Sequence, residues 1–176
     1  MVMVVSFRKG VSPVIATVLL LVLTIVIAGV LFSVVLPFVN DKLGKSKECL
    51  DALDGVEFPQ SKFNCYASSG STGETGFSIK INKDGISAIK LSLIDENDNS
   101  DVYEIREGTT NQNIRMVGSS GQYNEALSFP SSGGQRTYVT SKIYRKAEIS
   151  AMTKSGEICS VSDTVEFQPC YEDVSL

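Results

Sequence analysis

Residues Val11–Val39 read VSPVIATVLLLVLTIVIAGVLFSVVLPFV, 29 residues without a single Asp, Glu, Lys or Arg. As a helix rising 1.5 Å per residue, this stretch runs about 43 Å. A bilayer's hydrocarbon slab is about 30 Å thick, so the stretch can cross it with residues to spare. Ser12 is a good N-cap, and Pro13 fits the first helical position, where a missing N–H costs nothing. Pro37 loosens the last turns. Asn40, Asp41 and Lys42 mark the return to water, and Arg8 and Lys9 stand ahead of the helix. Positive charge stays on the cytoplasmic side, so the C-terminal domain is expected outside the cell. A cleaved secretory signal has an apolar run of only about 7–15 residues before its cleavage site. Ala28-Gly29 instead lies in mid-run, so the helix is expected to stay in the mature chain.

The remaining sequence is of a different kind. The chain has 176 residues, 16 basic and 20 acidic, with a formal net charge of −4. That balance argues against binding nucleic acid, which depends on clustered Lys and Arg. There is no His, which removes Ser-His-Asp, Cys-His and His-metal chemistry. No sequence pattern points to a catalytic site, a cofactor or a metal, and the chain is read as not an enzyme.

The residues around the start of the helix carry a resemblance. Arg8-Lys9-Gly10-Val11-Ser12-Pro13-Val14-Ile15-Ala16-Thr17-Val18-Leu19-Leu20 is similar to the N-terminal signature of archaeal type IV pilins, relatives of archaellins. The resemblance covers roughly residues 8 to 38. It implies a leader peptide, 1–10, cut between Gly10 and Val11 by a membrane aspartyl protease of the prepilin-peptidase kind. It also implies a retained helix that polymerises with other copies. Many bacterial pilins place Glu at the fifth mature position; here that position is Ile15, in keeping with the archaeal pattern. The physics agrees: Gly10 gives the backbone access to a narrow cleft, Arg8 and Lys9 hold the leader at the membrane face, and Ser12-Pro13 starts the helix just past the bond. Gly29 and Ser33, four apart, give a small-xxx-small spacing for close helix packing.

The expected organisation is a leader at 1–10, a hydrophobic helix at 11–44, an extracellular domain at 45–170 and a disordered tail at 171–176. Gly44-Lys45-Ser46-Lys47 reads as a hinge, followed by one more helical turn. Beyond it the apolar period becomes two. Phe77, Ile79 and Ile81 share a face; so do Ile89, Leu91 and Leu93; so do Ala147, Ile149 and Ala151. Tyr103 and Ile105 point inward. Further strands are expected over 56–66, 113–117, 136–139, 157–161 and 164–167. Asp84-Gly85 is a hairpin signal. About eight short strands with Gly/Ser/Asn turns suit an all-β antiparallel sandwich of immunoglobulin-like architecture. Archaeal pilins and archaellins carry outer domains of this class.

All four cysteines, Cys49, Cys65, Cys159 and Cys170, lie in this domain. An even number outside the cell suggests two disulfides. Three pairings exist: Cys49–Cys170 with Cys65–Cys159 is preferred, and the sequential pairing follows closely. Their spacings do not suit zinc, whose cysteine pairs usually lie two to four residues apart. The Asp95–Asp101 run alternates acids and amides, yet Ser100 and Arg106 occupy the places where a calcium loop needs Gly and Glu. It reads as a solvated connection between strands. Gly118–Gln135 reads as an exposed loop with Leu127 and Phe129 tucked in.

The chain is therefore read as the subunit of a surface filament, anchored in membrane lipid before assembly and serving adhesion. The alternative is a monomeric membrane-anchored binding protein or minor pilin.

Overall fold

The computed structural model describes residues 13–69, 72–118, 122–171 and 176. Its contacts divide the chain into one unit ending at Gly44 and a second, Lys45–Leu176.

Among the described residues a single helix, α1, spans Pro13–Asp51. It passes unbroken through 44–47, where a hinge was expected, and through Pro37. Leu, Val, Ile and Ala dominate the run up to the proline, and their continuous backbone ladder carries the weaker helix formers Gly29, Thr17, Thr24 and Ser33 among them. The missing N–H of Pro37 and the two glycines, Gly29 and Gly44, cost less than the surrounding hydrogen bonds return.

The second unit is a two-layer β structure. One sheet holds β1 (Val56–Glu57), β2 (Cys65–Ser69), β3 (Thr72–Ile81), β6 (Ile114–Met116), β7 (Gln135–Thr140) and β10 (Gln168–Pro169). The other holds β4 (Ile86–Ile94), β5 (Ser100–Arg106), β8 (Lys146–Thr153) and β9 (Ile158–Glu166). Their orders, β2-β3-β7-β6 and β5-β4-β8-β9, are the A-B-E-D and C′-C-F-G orders of immunoglobulin connectivity. Among the described residues all these pairings are antiparallel except β10 on β2, which is parallel.

The core lies between the layers. Phe77, Ile79 and Ile81 from β3 meet Ile89, Leu91 and Leu93 from β4, Ile105 from β5, and Ala147, Ile149 and Ala151 from β8. Period-two patterning thus assigns the faces correctly. Phe77 and Tyr138 are cross-strand partners whose rings stack 5.7 Å apart, and the Tyr138 hydroxyl donates to Ser128 O at 2.8 Å.

Three local expectations change. Asp84-Gly85 does not close a hairpin: β3 and β4 belong to different sheets, and this turn, with Gly85 at φ +92°, carries the chain from one layer to the other. The expected strand over 56–66 is split into β1 and β2. Pro59 has no N–H for the ladder, and the Asn64 side chain fills the gap by donating to Pro59 O and accepting from Ser78 N. The two strands expected near 157–167 are one, β9, with register shifts against β8. Phe167 then dives into the core at 3 % exposure, and β10 crosses to the other sheet.

Candidate functional site

Two features of α1 bear on function. The first is its apolar length. Val14 and Phe32 are 69 % and 67 % exposed, and no described residue of α1 is buried. The apolar side chains run all the way round, leaving no polar stripe for water. The few hydroxyls are turned inward on the backbone: Thr17 donates to Val14 O at 2.9 Å, Thr24 to Leu21 O at 2.8 Å and Ser33 to Val30 O at 3.1 Å. These bonds satisfy the polar side chains within the helix, as hydrocarbon surroundings require. Gly29 has open space beside it. Such a surface is stable only against lipid or against other apolar helices.

The second feature is the way the last helical turn is fastened to the β-sandwich. Cys49 is bonded to Cys159 of β9, and Cys65 of β2 to Cys170. This is the third of the three possible pairings, so both the preferred pairing and the sequential one are corrected. The reason is topological. The C-terminal segment after β9 crosses to β2, with Cys170 N donating to Tyr66 O at 2.9 Å, which sets Cys170 beside Cys65. Cys159 remains on the outer strand, against the helix end. Neither bridge is the B–F bond of antibody domains.

Polar contacts surround Cys49. Glu48 accepts from the Ser155 hydroxyl, and that bond is the leading reason its carboxyl titrates below the usual range. Lys45 lies 3.9 Å from Glu157. Ala52 and Val56 are buried, at 6 % and 1 % exposure. Between them Asp54 takes φ +57°, the left-handed turn that ends helices. Gly55 N donates to Ala52 O at 2.9 Å, and Asn82 N to Gly55 O at 2.8 Å. Lys83 Nζ donates to Leu53 O. A side chain at Gly55 would place its Cβ 2.8 Å from Ala52 O and 2.7 Å from Ile86 Cδ1, so this glycine is needed for close approach.

Other sequence candidates resolve into structural parts. The Asp95–Asn99 connection is a hairpin loop in which Asp95 Oδ1 accepts from Asn97 N at 2.8 Å and Asn99 N at 3.0 Å. Among the described residues there is no grouping of three or more acids or cysteines able to hold a metal. Tyr144, before β8, occupies the corner position of immunoglobulin folds and is 1 % exposed. Its hydroxyl donates to Asp101 Oδ2 at 2.7 Å, and Lys142 Nζ donates to the same oxygen at 2.9 Å. The Tyr144 hydroxyl, then Lys142, holds the Asp101 carboxyl below its ordinary value. Burial pushes the Tyr144 phenol up. Glu48, Glu57, Asp95 and Asp101 all shift toward the anion. Leu127 is buried, as the tuck predicted, and Phe129 is half-buried. Sequence reading did not find Tyr144, Ala52 or Gly55. The Asp54-Gly55 dipeptide, a turn signal, is the local feature that could have pointed to Gly55.

Arg8, Lys9, Gly10, Val11 and Ser12 lie outside the described residues, as do 172–175 of the expected tail. Pro13 opens the described helix.

Residues 9–44 match the family model described as archaeal Type IV pilin, N-terminal. No curated protein and no solved structure matches the chain. An apolar helix with no burial of its own, matching that family model over residues 9–44 and followed by a disulfide-bonded immunoglobulin-type sandwich, is the make-up of a type IV pilin-like structural subunit, and the N-terminal segment of this chain is similar to that of archaeal type IV pilins.

Proposed function

We propose that the chain is cleaved between Gly10 and Val11 by a prepilin-peptidase-like aspartyl protease and then polymerises through its N-terminal helix into an extracellular filament. Before assembly the helix rests in membrane lipid, with residues 45–170 outside the cell. In the filament, copies of the helix bundle with Gly29 and Ser33 at close contacts, the sandwiches face outward, and the fibre serves surface adhesion. The observation that carries this reading is the exposed, unburied apolar surface of α1 in a segment matching the pilin N-terminal model. Loss of Arg8 and Lys9 takes the formal charge from −4 to −6, a mild repulsion between outer domains that salt screens.

Mass spectrometry of the native protein tests the processing. The expected mass is that of residues 11–176 less the hydrogens of two disulfides. A product beginning beyond Val39 refutes the reading. Electron microscopy of sheared surface material tests assembly: filaments containing the chain are expected, and an unpolymerised membrane protein refutes the filament role. Loss of surface attachment on deleting the chain tests adhesion.

A further inference from the structure

We infer that the Cys49–Cys159 disulfide is a mechanical latch, the bond through which a pull on the β-sandwich reaches the helix. This goes beyond the filament reading and stands on the geometry of Lys45–Leu176 alone. Without the bridge, a load between helix and sandwich falls on the chain from Leu50 onward. The first ladder it meets is β1, two residues at a sheet edge, paired only as Val56↔Ile81 and Glu57↔Lys80. Such an edge peels one pair at a time. Its supports are the exposed ties Glu48–Ser155, Lys45–Glu157, Lys80–Glu57 and Lys83–Leu53 O, for which water competes, the main-chain bond from Asn82 N to Gly55 O, and the small buried Ala52 and Val56. After β1 the chain is held by single side-chain bonds, Phe58 N donating to Asp163 Oδ2 at 2.8 Å and Ser78 N to Asn64 Oδ1 at 2.7 Å, with no main-chain ladder until β2. The next covalent stop is Cys65, tied to Cys170.

With the bridge closed, Cys49 cannot leave β9. That strand is paired to β8 from Lys146↔Glu166 to Met152↔Ile158, and β8 is central in its sheet. The load then acts on the body of the sandwich, while residues 50–64 are fixed at both ends and cannot peel. The two bridges divide the work: one fixes the helix to the outer strand, the other fixes the C-terminal segment to β2.

The test is hydrogen exchange on the full chain in detergent, comparing wild type with Cys49→Ser/Cys159→Ser. The amides of 52–57 are expected to exchange roughly tenfold faster or more in the variant, while Leu91 and Ile149 keep their protection, which also shows that the variant folds. Unchanged protection of 52–57 overturns the latch. A companion variant, Ser155→Ala/Lys83→Met, keeps the bridge and removes polar ties. It is expected to leave 52–57 protected, and a roughly tenfold or greater loss of protection there overturns the inference even if the cysteine variant fails to fold. Single-molecule pulling between the helix and the 95–99 loop gives a second readout. The cysteine variant should show an early step of at most about 53–58 Å, the contour of the 16 residues Leu50–Cys65. Wild type should show none, and an identical early step in wild type refutes the latch.

Discussion

Replacing Tyr144 by Phe removes one oxygen from the corner of the sandwich and leaves its packing volume in place. In the wild type that oxygen donates at 2.7 Å to Asp101 Oδ2 and lies 3.3 Å from the Tyr103 hydroxyl. A hydrogen bond to a charged acceptor contributes about 1.5–3 kcal/mol. The Asp101 side chain is 43 % exposed and keeps Lys142, so water and the ammonium offset part of the loss. The expected cost at neutral pH is therefore about 1–2 kcal/mol, roughly 3–7 °C in melting temperature for a domain of this size. The pH dependence carries a sign. Asp101 has a lowered pKa in the folded state, chiefly through Tyr144. Its stabilising contribution is fully present above the unfolded carboxyl value of about 3.9, and it fades as pH falls through the folded value. Urea titrations of both proteins in the same detergent, from pH 7 down to pH 3, should show the gap closing in that direction. Asp101→Asn should bring most of the same loss, and the double variant should cost less than the sum of the two. A gap independent of pH, or additive single variants, refutes the assignment of Asp101 as the partner that matters.

Leu91→Ala empties a wholly buried position on β4 and should cost about 2–5 kcal/mol, read as a lower urea midpoint with little change in slope. Gly55→Ala forces the new methyl toward Ala52 O and Ile86, so a loss of about 1–3 kcal/mol is expected by thermal melting. Leu23→Asp places a charge in the middle of α1 at a cost of about 2.5–3.5 kcal/mol for insertion; the chain should shift toward the soluble fraction on cell fractionation. Non-reducing peptide mapping should recover Cys49 joined to Cys159 and Cys65 joined to Cys170.

Much of the architecture can be read from local pattern. The uncharged, mostly apolar sequence from Val11 to Val39 points to a helix whose surface meets lipid or other apolar helices, because so uniform a surface is hard to bury in a domain of the remaining size. Alternation at Phe77–Ile81, Ile89–Leu93 and Ala147–Ala151 assigns core faces, because successive strand side chains point to opposite sides. Residue types at 8–13 carry the family resemblance, which the match over 9–44 supports.

Tertiary structure decided the rest. A turn sequence such as Asp84-Gly85 states that the chain reverses, and leaves open whether the next strand joins the same sheet or the facing one. Cysteine spacing allows three pairings; only the crossing of the chain from β9 to β10 sets Cys170 beside Cys65 and leaves Cys159 for Cys49. Tyr144 and Asp101 lie 43 positions apart, so their bond leaves no trace in either local sequence. Short-range patterns report the environment of one residue at a time, whereas partners distant in sequence meet only once sheet order and register are settled.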